Sequence, residues 1–148
     1  MKYVIEDILT KWDEVFSLAE EAWNEVDQMK VSRNLDPDRD LYTALNAQGM
    51  IRLYNMYTED NELVGFAIYI INPSLHCKGE FDATSDVIYI KPEYRNTGKE
   101  FLQLIIDDLK EEGVTWFSLI VKAWLDNGKL AKAIHCDPYE TTYQRSLK

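Results

Sequence analysis

The sequence predicts an α/β (α+β) fold, a sheet covered by helices, and three observations carry that expectation. Across residues 8–30, Ile8, Trp12, Val15, Phe16, Ala19, Ala22, Trp23 and Val26 recur at the spacing of one helical face, with acids opposite. At residue 51 the period changes to two, as Ile51, Leu53, Asn55 and Tyr57 alternate with Arg52, Tyr54, Met56 and Thr58. Residues 63–71 are apolar on both faces, which suits a strand buried between two layers of helix.

The other elements follow in chain order. A short N-terminal strand precedes the long amphipathic helix, whose tryptophans Trp12 and Trp23 read as core anchors against the sheet. Residues 31–39, with Asn34 and Pro37, form a loop, and Asp40 caps a short helix ending near Gly49. Residues 59–62, Glu-Asp-Asn-Glu, turn the hairpin. Residues 73–82 are a loop and 83–90 a Val/Ile/Tyr-rich strand. A helix over 98–112 carries Phe101, Leu102, Leu104, Ile105, Ile106 and Leu109, with Gly113 as its stop. A buried strand over 115–121, a short helix over 125–134 opened by Asp126 and Asn127, and a final alternating strand over 139–147 complete the chain.

A chain of 148 residues suits one domain, 1–148, and its 46% hydrophobic content is enough to close a core. No apolar run nears the roughly 20 residues that cross a bilayer, and the first residues lack the order of a signal peptide, so the expected location is the cytoplasm. Cys77 and Cys136 are too few for a disulfide framework. Each follows a histidine, but adjacent residues seldom point at one ion and there is no Cys-x-x-Cys spacing, so no metal is expected. The net charge of −10 repels nucleic acid and draws cationic partners.

Residues 87–102 are the most informative stretch, a buried strand passing through Lys91-Pro92-Glu93-Tyr94-Arg95 into a helix. Such a junction directs backbone N–H groups at whatever lies above the helix start, a place for a phosphate. The wording of this segment resembles the acetyl-CoA-binding segment of the GCN5-related N-acetyltransferase (GNAT) superfamily. The family's turn is Gln/Arg-x-x-Gly-x-Gly/Ala, and this chain supplies Arg95 and Gly98 but has Glu100 at the third position. The element order is similar to that of GNAT proteins over the full length, which implies a central mixed, mostly antiparallel sheet with helices on both faces. The segments 122–130 and 139–143 look like the last helix and strand of small GNAT-like proteins encoded by tailed phages, whose setting would be the host cytoplasm.

The resemblance implies that acetyl-CoA lies with its pyrophosphate on the N–H groups of Asn96, Thr97, Gly98, Lys99 and Glu100, with Arg95 adding charge. Its pantetheine arm would pair along the strand holding Ile88 and Ile90, where that strand splays from 115–121. A carboxylate at Glu100, pointed at the diphosphate from about 5 Å, would cost on the order of 1–3 kcal/mol. Register from Arg95 puts Thr84 where the family often has a glutamate base, leaving Asp82 and Asp86 as the nearby carboxylates. The family's tyrosine acid, counted seven residues from Asn127, falls on Ile134; Tyr139, Tyr143 and His135 are close in sequence, and Tyr139 is taken as the candidate.

Two functions follow. One is an N-acetyltransferase moving acetyl from acetyl-CoA to a primary amine of a small molecule, a lysine or an N-terminus, with cationic proteins among the acceptors. The other is a non-catalytic acidic protein of the same fold, a phage factor occupying a basic site on a host protein. Exposed edge strands leave monomer and homodimer both open.

Overall fold

The computed structural model describes residues 1–27, 33–122 and 128–147. Five strands form one sheet in the order β1-β2-β3-β4-β5: β1 (Lys2–Glu6), β2 (Ile51–Tyr57), β3 (Leu63–Pro73), β4 (Phe81–Ile90) and β5 (Trp116–Ser118). The first three pairings are antiparallel and β4–β5 is parallel, which is the mixed, mostly antiparallel sheet expected. The helices are α1 (Trp12–Ala22), α2 (Arg39–Ala47), α3 (Gly98–Glu111) and α4 (Gly128–Ala133).

The double-faced apolar pattern of β3 has the expected consequence. Phe66 and Ile68 pack with Val15, Leu18, Ala19 and Ala22 of α1, whereas Ala67, Tyr69 and Ile71 pack with Phe101, Leu102, Ile105 and Leu109 of α3. Alternate side chains of a strand point to opposite faces, so one strand serves both cores. Tyr54 on β2 is buried in the α3-side core, and its hydroxyl donates to Asp108 Oδ2 at 2.7 Å, so the polar tip of a core side chain meets a carboxylate on α3.

Several boundaries differ from the sequence expectation. The first helix starts at Trp12 because Asp7 Oδ1 accepts the N–H groups of Leu9 (2.8 Å) and Thr10 (3.0 Å), closing a turn before the helix. Ile8 is buried from within that turn. After Ala22 the chain widens into a π-helical turn, Trp23–Asp27, and the expected extension to Lys30 lies outside the described residues. The cap of α2 is Asp38, which accepts from Leu41 N–H at 3.0 Å; Asp40 lies within the first turn. Extended pairing carries β3 to Pro73 and starts β4 at Phe81, so the intervening loop shrinks to residues 74–80 and Asp82 is a strand residue.

The C-terminal third departs most. Only Trp116–Ser118 of the expected strand pairs with β4, and α4 is described from Gly128, with Asn127 outside the described residues. Residues 139–147 are not a strand. An alternating pattern becomes a strand only beside a paired edge, and here the tail leaves α4 with Tyr139 turned edge-on to Trp116 at 5.5 Å and joins no ladder.

Candidate active site

The parallel ladder between β4 and β5 is short. It pairs Asp82, Ala83 and Thr84 with Trp116, Phe117 and Ser118 and then stops. Ile120 N–H donates to the buried Ser85 Oγ at 2.8 Å, just past the end of the ladder. Beyond it, among the described residues, no strand pairs with this side of β4. Lys91 N–H donates to Val64 O on the β3 side, and backbone groups alternate sides along a strand, so those of Ile88 and Ile90 face the gap.

The gap opens at a bulge. Val87 is opposite Ile68 and Ser85 is opposite Tyr69, which leaves Asp86 as the extra residue. Bulges bend a strand and re-aim side chains, and they recur next to active sites. Asp86 is open to solvent on one side and backed by α2 on the other, where the Tyr42 hydroxyl donates to its Oδ2 at 3.3 Å. Loss of water on that side pushes the carboxyl above the ordinary aspartate value; the Tyr42 hydrogen bond and the Lys122 charge oppose the rise without cancelling it.

Between β4 and α3 the chain forms a 3-10 turn, Pro92–Thr97, with proline at the position where a missing N–H costs nothing. Thr97 Oγ1 donates to Tyr94 O at 2.7 Å, and Gly98 N–H donates to Arg95 O as α3 begins. Gly98 is buried against the Ile90 and Leu130 side chains, which join the wall of the gap to α4. An added methyl there would meet them at 3.6 to 3.8 Å, ordinary contact.

Arg95 is turned toward the sheet. Its Nε donates to Ile90 O at 3.0 Å, its guanidinium pairs with Glu25 of the π-helical turn, and it lies 5.9 Å from the centroid of the Tyr89 ring. The Tyr89 hydroxyl donates to the same Glu25 at 2.8 Å. Burial raises the Glu25 carboxyl, but the hydrogen bonds of Arg95 and Tyr89 and the Arg95 charge together hold it below the usual glutamate value. Arg95 therefore ties the end of β4 to the end of α1.

Asn96, Lys99 and Glu100 border a shallow hollow on α3 together with Gln103, Leu104 and Asp107. Burial, and after it the Glu100 charge, raises the pKa of the Tyr3 phenol on β1. Asp82 and Tyr139 stand elsewhere. Asp82 is opposite Trp116 and eight residues, about 27 Å, from Ile90. Tyr139 is exposed and packs on the same Trp116. The structure thus gathers Asp86, Ile88, Ile90 and the 96–100 junction around one gap, with Ser85, Tyr42 and Glu25 as supports that sequence reasoning missed. A polar Ser85-Asp86 pair inside an apolar strand was the one available signal; nothing local marks Tyr42 or Glu25. Among the described residues no group of three or more His, Cys, Asp or Glu side chains is placed to hold a metal ion.

The sheet is mostly antiparallel and ends in one short parallel pair, with a bulge in β4 beyond that pair and a helix start after β4. The model of the acetyltransferase (GNAT) family matches residues 12–131, and the chain belongs to that family. No curated protein matches the sequence. Its fold is similar to that of a ribosomal-protein-alanine N-acetyltransferase from Brucella melitensis biovar Abortus 2308, at 18% identity and TM-score 0.69 over 99% of this chain and 100% of that one. An aminoglycoside acetyltransferase from an uncultured soil metagenomic sample, in complex with sisomicin, superposes at TM-score 0.77 with 14% identity, over 99% and 96% of the two chains. A predicted acetyltransferase from Clostridium acetobutylicum with acetyl-CoA superposes at TM-score 0.72 with 16% identity, again over 99% and 96%. Among the described residues no helix is long and apolar enough to cross a membrane.

Proposed function

We propose that this protein is an N-acetyltransferase that moves acetyl from acetyl-CoA to a primary amine. The observation that carries the reading is the β4–β5 gap, where the backbone of Ile88 and Ile90 lies beyond the ladder. A pantetheine arm fits such an edge as an added strand, its amides bonding to main chain. At the mouth, the start of α3 favours an anion through its dipole, Gly98 N–H being already given to Arg95 O, and Lys99 adds a cation. Arg95 acts as a brace between β4 and Glu25. Glu100 borders the same hollow as Lys99, so its carboxylate works against an anion there and lowers the affinity for a diphosphate.

Bound acetyl-CoA would supply the thioester. Asp86, at the bulge, is the group of this chain placed to take the proton of an arriving ammonium, and a raised pKa suits a base working nearer neutrality. Tyr42 holds that carboxylate in place. Asp82 and Tyr139 have no part in the step. The net charge of −10 favours cationic acceptors, and it disfavours nucleic acid. The unpaired Cys77 and Cys136 agree with a reducing, cytoplasmic setting.

The helix start is tested by substitution at Gly98. Gly98→Asp should weaken acetyl-CoA binding tenfold or more, from a repulsion of about 1–3 kcal/mol between carboxylate and diphosphate. Gly98→Ala, whose methyl finds only ordinary contacts, should bind like the parent chain. Calorimetric titration of both, with circular dichroism to show unchanged helix content, decides the matter; equal binding by the aspartate variant would remove the phosphate from this site.

A further inference from the structure

Among the described residues, three side-chain polar atoms are sealed from water without a hydrogen-bond partner: the hydroxyls of Tyr3 and Tyr69, and Oδ1 of Asn55. Asn55 is anchored through its amide to Glu6, and Tyr3 has the Glu100 and Thr97 side chains beside it. Tyr69 has no such anchor. A buried hydroxyl left unsatisfied destabilises the fold, and phenylalanine would fill the same space without that penalty. Tyr69 lies on β3 opposite Ser85, the residue whose Oγ holds Ile120 N–H where the β4–β5 ladder ends. Its ring stacks on Phe117 of β5 at 5.3 Å. Neighbouring strands lie about 4.8 Å apart, so rings from β3 and β5 meet only by leaning across the α3-side face of β4. The phenol therefore reaches beneath the closed end of the gap.

The geometry points to Tyr69 as the hydrogen-bond donor to the thioester sulfur, a role that rests on acetyl-CoA occupying the gap as proposed. An arm that enters at the start of α3 and runs along Ile90 and Ile88 brings its sulfur end to Ser85 and Asp86, where the ladder closes. Asp86 is held there by Tyr42, which packs with the α1-side core, whereas Tyr69 belongs to the α3-side core. Amine and sulfur thus meet their partners from opposite faces of the sheet. The acceptor gives one proton to Asp86, and its nitrogen bonds to the thioester carbon. The C–S bond breaks with its electron pair on sulfur, and the second amine proton completes the thiol. Tyr69 keeps its own proton throughout, because burial, and after it the Cys136 charge, pushes the phenol above its ordinary value. It contributes a hydrogen bond that strengthens as charge gathers on the sulfur.

Calorimetric titration with coenzyme A and with desulfo-coenzyme A, which lacks the sulfur, tests the contact at a pH above the ordinary thiol pKa of about 8.5. Tyr69→Phe keeps the ring on Phe117 and deletes an unpartnered hydroxyl, so it should fold with an unchanged circular dichroism spectrum and an equal or higher unfolding midpoint. It should bind coenzyme A about tenfold or more weakly than the parent chain, and desulfo-coenzyme A equally well. In the parent chain, carbon-labelled at the tyrosine phenol position, the Tyr69 signal should shift with coenzyme A and stay with desulfo-coenzyme A. Unchanged affinity of the variant for coenzyme A, or an equal loss of affinity for both ligands, overturns the inference and leaves acetyl-CoA in the gap. So does a Tyr69 signal that does not respond to bound coenzyme A. A parent chain that binds neither ligand overturns the placement of acetyl-CoA as well.

Discussion

Asp86→Asn should lower kcat for acetyl transfer by about 10²–10⁴, the usual contribution of a positioned base, while the affinity for acetyl-CoA stays at the parent value. Asparagine keeps the shape of the side chain at the bulge but cannot hold the proton of the acceptor. The pH profile gives a second readout with a definite sign. Asp86 works only when ionised, so activity falls as pH drops through its pKa, and burial places that pKa above the ordinary aspartate value of about 3.9. The Tyr42 hydrogen bond pulls the pKa down, so Tyr42→Phe should move the acid limb further up, and Asp86→Asn should abolish it. An asparagine variant with full activity and an unchanged acid limb would take the base away from β4.

Phe101→Ala should cost about 3–5 kcal/mol of stability, the range for deleting a buried aromatic ring and leaving a cavity. Phe101 is fully buried at 0% exposure and stacks on Tyr3 of β1 at 5.6 Å, so the hole would open between α3 and the sheet. For a domain whose whole stability is about 5–15 kcal/mol, that is about a fifth or more. At about 2–4 °C per kcal/mol the midpoint should fall by roughly 6–20 °C. Phe81→Ala, at a half-exposed position, should stay within about 0.5 kcal/mol. Urea unfolding of the pair measures the difference directly. A Phe101 variant as stable as the Phe81 variant would mean that α3 does not rest on the sheet through this ring.

The parts of the fold that were legible in sequence are those where burial repeats with a local period. β3, apolar on both faces, and the stripe of α3 from Phe101 to Leu109 declare their layers because water is excluded from those positions whatever lies far along the chain. Boundaries set by one side chain were harder. Asp7 and Asp38 each stop or start a helix through hydrogen bonds to amides two or three residues on, and Asp40 looks equally able to do so in sequence. The candidate site was legible in its backbone, since Ile88, Ile90 and Gly98 lie on a strand–turn–helix junction that a motif marks. Its side chains were not. Arg95 meets Glu25 from 70 residues away, and Asp86 is lifted out of register by the shape of β3 beside it. Residues 139–147 show the converse, a clean strand pattern that no neighbouring edge completes within the chain.

The proposed function places acetyl-CoA in the gap between β4 and β5. Titrating the isotope-labelled protein with acetyl-CoA, while following the backbone amide signals of Ile88, Ile90 and Gly98, tests it most directly. Saturable shifts at these three amides, with those of Asp82 and Tyr139 unmoved, are the expected result. Unmoved signals at Ile88 and Ile90 in excess acetyl-CoA would contradict the account.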